Sequence, residues 1–95
     1  MTFEEFSQSI TENKMPSHLS VYLQSLWFDA SGDWNKAHHL VNDMSDTTAC
    51  QVHAYLHRKE GDISNAGYWY SKAGISKPDI NLQQEWEQLV RELLK

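Results

Sequence analysis

Apolar positions recur along this chain with helical periodicity, interrupted by a small set of turn residues. Phe3, Phe6 and Ile10 form one stripe behind Thr2 and Glu5, a T-x-x-E capping box that predicts a short helix ending near Asn13. Met15-Pro16 breaks it. Ser17 is expected to cap a second helix carrying Leu19, Tyr22, Leu23, Leu26, Trp27 and Ala30, and Gly32 stops it. Asp33 starts a third, with Ala37, Leu40, Val41 and Met44 inward, and Ser45 or Asp46 caps a fourth through Ala49, Val52, His53, Leu56 and His57 to Gly61. Asp62 opens a fifth with Ile63, Ala66, Trp69, Tyr70 and Ala73. After Gly74, Pro78 and Asp79 introduce the last helix, with Leu82, Trp86, Leu89, Val90 and Leu93 inward and Glu85, Glu87, Arg91 and Glu92 outward. No segment alternates with the period of two that a strand requires. The expectation is all-α, about six helices, in one domain.

The pattern also repeats. Phe28-x3-Gly32-Asp33-x3-Ala37-x3-Val41 returns as His57-x3-Gly61-Asp62-x3-Ala66-x3-Tyr70, 29 residues later. Each unit reads as a helical hairpin: Gly-Asp supplies the turn and the next N-cap, and a small Ala sits where two antiparallel helices approach most closely. Such a unit buries its face only against neighbours. The expected organisation is an N-terminal capping helix (1–14), two hairpins (17–45 and 46–75) and a C-terminal capping helix (79–95).

The second unit resembles a tetratricopeptide (TPR) repeat in Gly61, Ala66-x3-Tyr70, Ala73 and Pro78, while Cys50, His53 and His57 stand where that family has large apolar or aromatic residues. In the first unit Phe28, Gly32 and Ala37 fit, no proline follows, and the spacing is shorter than the family's repeat of about 34 residues. Trp86-x2-Leu89-Val90-x2-Leu93 is similar to the opening half of a third repeat, and Asn65 to Gly74 is similar to the second helix of Sel-type repeats. The resemblance implies an α/α superhelix that binds protein rather than a catalyst. The first helix of each hairpin would then line a concave groove, through Tyr22, Leu26 and Asp29, then Gln51, Tyr55 and Arg58, then Glu87, Arg91 and Leu94. Of these, Tyr22, Leu26, Gln51, Tyr55, Arg58 and Arg91 are the candidate partner-binding residues, because Tyr and Arg weigh heavily in interfaces and Arg can fork onto a carboxylate.

Composition narrows the alternatives. Ninety-five residues with 40% hydrophobic and 12% aromatic content are enough for one core. A net charge of -5 argues against a nucleic-acid surface, which needs clustered cations. The single Cys50 cannot form an internal disulfide, the acidic N-terminus is unlike a signal peptide, and no apolar run approaches the roughly 20 residues of a membrane span. A cytoplasmic protein without nucleic-acid or membrane partners is expected.

Chemistry-bearing residues gather in the fourth helix. Cys50, His53 and His57 lie on one face, H-x3-H is a zinc-binding spacing, and His38, His39 and Asp43 of the preceding helix could add ligands. Paired cysteines and an H-E-x-x-H glutamate are absent, so the expectation is no cofactor and His53 and His57 in the core, hydrogen-bonded to a carbonyl or to Asp29 or Asp33. Cys50 acting with His53 as a nucleophile would need an orienting third group and an oxyanion donor, and neither is identifiable. Tyr68-Trp69-Tyr70 are consecutive, so at least one must leave the core. Trp34 raises the same question: these rings either pack under the terminal helices or form a surface for a homodimer. The leading expectation is thus a non-catalytic protein- or peptide-binding domain; the alternatives are a small metal-binding or catalytic protein using Cys50, His53 and His57, and a homodimerising structural domain.

Overall fold

A computed structural model describes residues 1–95 as six α-helices without strands: α1 (Phe3–Thr11), α2 (Val21–Ala30), α3 (Trp34–Val41), α4 (Thr47–Lys59), α5 (Ile63–Ala73) and α6 (Leu82–Leu93). The capping chemistry accounts for most boundaries. Glu5 N–H donates to Thr2 Oγ1 and Thr2 N–H to Glu5 Oε1, closing the box at the start of α1. Two starts differ from expectation. Ser20, not Ser17, caps α2, because His18 takes a left-handed φ of 64° and the chain straightens only after it. Asn81 rather than Asp79 caps α6, and its exchange with Gln84 makes a second box.

The repeat holds at atomic level in the two tight turns. Gly32 and Gly61 have φ of 93° and 91°, a left-handed conformation that strains any side chain. In one turn Gly32 N–H donates to Asp29 O and Asp33 N–H to Phe28 O; in the other Gly61 N–H donates to Arg58 O and Asp62 N–H to His57 O. Asp33 and Asp62 then each accept from the N3 backbone, at Lys36 and Asn65. Ala37 and Ala66 are both fully buried, as close helix approach requires. His53 meets Trp69 and His57 meets Asn65, so the α4–α5 contacts converge on the turn as in an antiparallel pair.

Helix α4 is central, touching α2, α3, α5 and α6, and all but Gln51 of Ala49 to His57 is buried. It is apolar or neutral on every side because it has neighbours on every side. One core joins Phe6, Leu26, Val41, Val52, Leu56, Trp86 and Val90 across α1, α2, α3, α4 and α6, and a smaller seam of Ala54, Ala66 and Tyr70 holds α5 to α4. Helix α6 packs on both α2 and α4, with Trp86 Nε1 donating to Leu26 O at 3.0 Å. Helix α1 seals that joint: Phe3 and Phe6 contact the Trp86 ring, and Trp27 Nε1 donates to Ser9 Oγ. No helix is long and apolar enough to cross a membrane.

Candidate functional site

Because α6 lies across α2 and α4, the stripe expected to face an open groove is largely interior. Leu26 is fully buried and Tyr55 only 2% exposed. Tyr55 donates its hydroxyl to Asp29 Oδ2 at 3.0 Å, while Lys59 reaches Asp29 Oδ1 at 2.9 Å. Arg58 forks between Glu85 Oε1 at 2.7 Å and the Ile80 carbonyl at 2.6 Å. Tyr22 is half-buried and donates to Asp46, the α4 cap, at 2.8 Å. Arg91 is exposed, bonded to Glu87 and lying 4.3 Å from the centre of the Phe3 ring. Gln51, half-buried, lines a cleft. The six candidates therefore do not meet on one open face.

Glu85 corrects the expected outward assignment: it is 3% exposed, with Oε2 accepting from Tyr70 at 2.7 Å. Its buried position was signalled by spacing, since Leu82, Glu85 and Leu89 stand at i, i+3 and i+7. Burial and the adjacent carboxylate hold both phenols, Tyr55 by Asp29 and Tyr70 by Glu85, well above the ordinary tyrosine range. The hydrogen bond to Glu85 also raises Arg58, so the guanidinium stays charged in its half-buried position.

Two surface clefts adjoin these networks. One of about 300 Å³ opens over Asp29, Tyr55 and Lys59, between Ser7 and Ile10 of α1 and Gln83 and Trp86 of α6. The other, about 290 Å³, runs between α4 and α6 and is lined by Thr48, Gln51, Ile75, Pro78, Leu89 and Leu93, with Glu85, Gln88 and Glu92 as the remaining walls.

On the opposite side of α4, His53 and His57 meet His38 of α3. One ring nitrogen from each can be chosen so that all three lie within 4.8 Å of one another. His38 Nε2 is 2.9 Å from His53 Nε2, and His57 Nδ1 is 2.6 Å from Glu60 Oε1. Two indoles wall the group: Trp34 stacks on His38 and donates Nε1–H to Leu56 O, and Trp69 stacks on His53 with ring centres 3.9 Å apart. His53 Nδ1 is buried without a partner, so the trio is not a closed hydrogen-bond network. Burial, then repulsion from the other two imidazoles, pushes His53 down to about 4; burial also lowers His38. The expected hydrogen bonds from these histidines to Asp29 or Asp33 do not form, since Asp29 serves Tyr55 and Lys59 and Asp33 serves as a cap. His39 and Asp43 are exposed, and Cys50 is buried with its thiol turned to Ser45 O at 3.6 Å, so these three stand outside the cluster. Of the aromatics in question, Tyr68 is exposed while Trp34 and Trp69 are half-buried against histidines.

No protein family, curated protein or solved structure matches this chain.

Proposed function

We propose that this chain is a non-catalytic, TPR-like binding module that takes a short segment of a partner protein, and that the segment docks in the cleft between α4 and α6. The observation that carries this reading is the cleft's lining: Ile75, Pro78, Leu89 and Leu93 offer apolar contact, and its only charged walls are Glu85 and Glu92. A concave apolar strip with a few polar groups is the usual form of a binding pocket. Glu85 is already engaged by Arg58 and Tyr70, so the exposed Glu92, on a chain of net charge -5, is the wall that favours a segment pairing an apolar side chain with Lys or Arg. A non-catalytic role agrees with the engagement of Arg58, Tyr55 and Tyr70 in buried pairs, and with the Cys50 thiol being turned to a backbone carbonyl, that of Ser45.

Selection of a displayed random-peptide library on the immobilised full chain tests it. The enriched peptides should share an apolar residue beside a basic one. Enrichment should vanish on Ile75→Glu, which alters an exposed wall residue, and weaken several-fold on Glu92→Lys. No enrichment over a blank surface, an acidic consensus, or equal recovery on all three proteins would overturn the reading.

A further inference from the structure

We propose that His38, His53 and His57 form a binding site for a borderline divalent transition-metal ion, Zn²⁺ being the representative, with Glu60 as the carboxylate behind one ligand. The site owes nothing to the peptide cleft, since it occupies the other side of α4.

Convergence is the first support. Two helices deliver three imidazoles to one point, and one ring nitrogen from each falls within the same 4.8 Å. A tetrahedral ion with bonds of about 2.0–2.1 Å to nitrogen holds its ligand atoms roughly 3.3 Å apart. His38 and His53, at 2.9 Å, would part by a few tenths of an ångström and His57 would close in by rotation of its ring. Three such ligands leave one position for water.

The second support is the orientation of His57. With the Nδ1 hydrogen given to Glu60 at 2.6 Å, Nε2 is the acceptor nitrogen, and its hydrogen bond from Asn65 Nδ2 is long, at 3.4 Å, so an ion would displace a weak contact. A carboxylate behind a histidine is the arrangement that fixes a ligand's tautomer and raises its basicity at metal sites. Third, the cluster is held in place: Trp34 stacks on His38 and Trp69 on His53, so the two rings that face each other through Nε2 are fixed by their neighbours. The donor set selects the metal: imidazole nitrogen without thiolate suits zinc, nickel, cobalt or copper(II), and Cys50 is turned away. His38 is half-buried, which gives the ion a path in.

Titration of the metal-stripped full chain with Zn²⁺ alone, followed by calorimetry, and with Co²⁺, followed by visible absorption, tests the proposal. One ion per chain is expected, with the intense absorption of tetrahedral Co²⁺ and a Zn²⁺-dependent rise in melting temperature. His38→Gln should weaken Zn²⁺ binding about 100-fold or more, whereas His39→Gln, at the exposed neighbouring position, should bind like wild type. Should His38→Gln lose its helical circular dichroism, Glu60→Gln decides, because Glu60 is on the surface and its loss should weaken binding by about 10-fold to 100-fold. Absence of one-to-one uptake, or a folded His38→Gln (Glu60→Gln in its place) that binds as tightly as wild type, would overturn the site and identify the trio as core packing.

Discussion

Removing the Glu85 carboxylate should be among the most destabilising single changes in the molecule, although its sequence position on a charged stretch of α6 suggests a surface residue. Glu85→Ala takes the acceptor from two donors at once, Arg58 Nη1 and the Tyr70 hydroxyl, both at 2.7 Å. The Arg58 side chain is only 13% exposed, so water cannot replace what is lost without opening the α4–α6 contact. Breaking a buried pair by deleting one partner typically costs about 3–5 kcal/mol, and Arg58 keeps the Ile80 carbonyl, which places this case at about 3 kcal/mol. For a chain near 100 residues that is a fall of roughly 15 °C in melting temperature, or about 2 M in urea midpoint at a slope of about 1.5 kcal/mol/M. Urea melts followed by helical circular dichroism would measure it, with Glu92→Ala as the control: its pair with Lys95 is exposed and should cost no more than about 0.5 kcal/mol. The combined Arg58→Met, Tyr70→Phe, Glu85→Leu protein, which removes both donors with the acceptor, should recover most of that loss, because the penalty belongs to the orphaned buried groups and not to the loss of a favourable pair. A loss below about 1 kcal/mol for Glu85→Ala, or a triple variant no better than the single, would refute the reasoning.

The two glycine turns should respond alike. Gly32→Ala and Gly61→Ala each meet open space, so the cost is that of the left-handed backbone alone, about 1 kcal/mol, and Asn at either position should cost less than Ala; unequal losses in urea melts, or none, would separate the two units. Alkaline titration should separate the tyrosines. Tyr55 and Tyr70 have folded values raised above the ordinary 10, so their contribution to stability is complete below about pH 10 and is lost as pH rises beyond it. Phenolate absorbance should therefore report two of the four tyrosines ionising only together with loss of helix, and full ionisation ahead of unfolding would contradict their buried pairing.

What the sequence made legible was local. Capping boxes, Gly-Asp turns and apolar spacing are decided by residues three or four apart, so the number and approximate bounds of the helices could be read directly. Assembly depended on contacts far apart in the chain. Nothing near Trp86 announces that its indole will bond Leu26 O 60 residues away, yet that contact lays α6 over α2 and turns Leu26 and Tyr55 inward. The histidine face of α4 was visible, and His38 stood among its candidate neighbours; the spacing could not choose between His38 and His39, which differ by one position and a rotation of about 100° about the helix axis. Whether Trp34 and Trp69 were packed or exposed stayed open for the same reason: the rings they meet are histidines that the spacing did not assign to them.

The repeat also explains how charge came to be buried at two places in so small a chain. Asp29 and Arg58 are 29 residues apart and occupy the same position in their units, three residues before the turn glycine. Each reaches from the end of its helix to the next one in the series, Asp29 from α2 to Lys59 and Tyr55 of α4, Arg58 from α4 to Glu85 of α6. The signs are opposite but the contact is of one kind, a buried charge that ties alternate helices, α2 to α4 and α4 to α6. The cost of desolvating each charge is offset only with full pairing, and both carboxylates have it: a tyrosine hydroxyl and a cation on each. Position Phe28/His57, one residue earlier and about 100° round the helix, differs in chemistry between the units: Phe28 packs edge-on against Trp27, whereas His57 stands in the histidine group. Equivalent positions three residues before the turn glycine therefore make the same kind of buried contact with opposite charge, while the adjacent position carries an aromatic ring in one unit and an imidazole in the other.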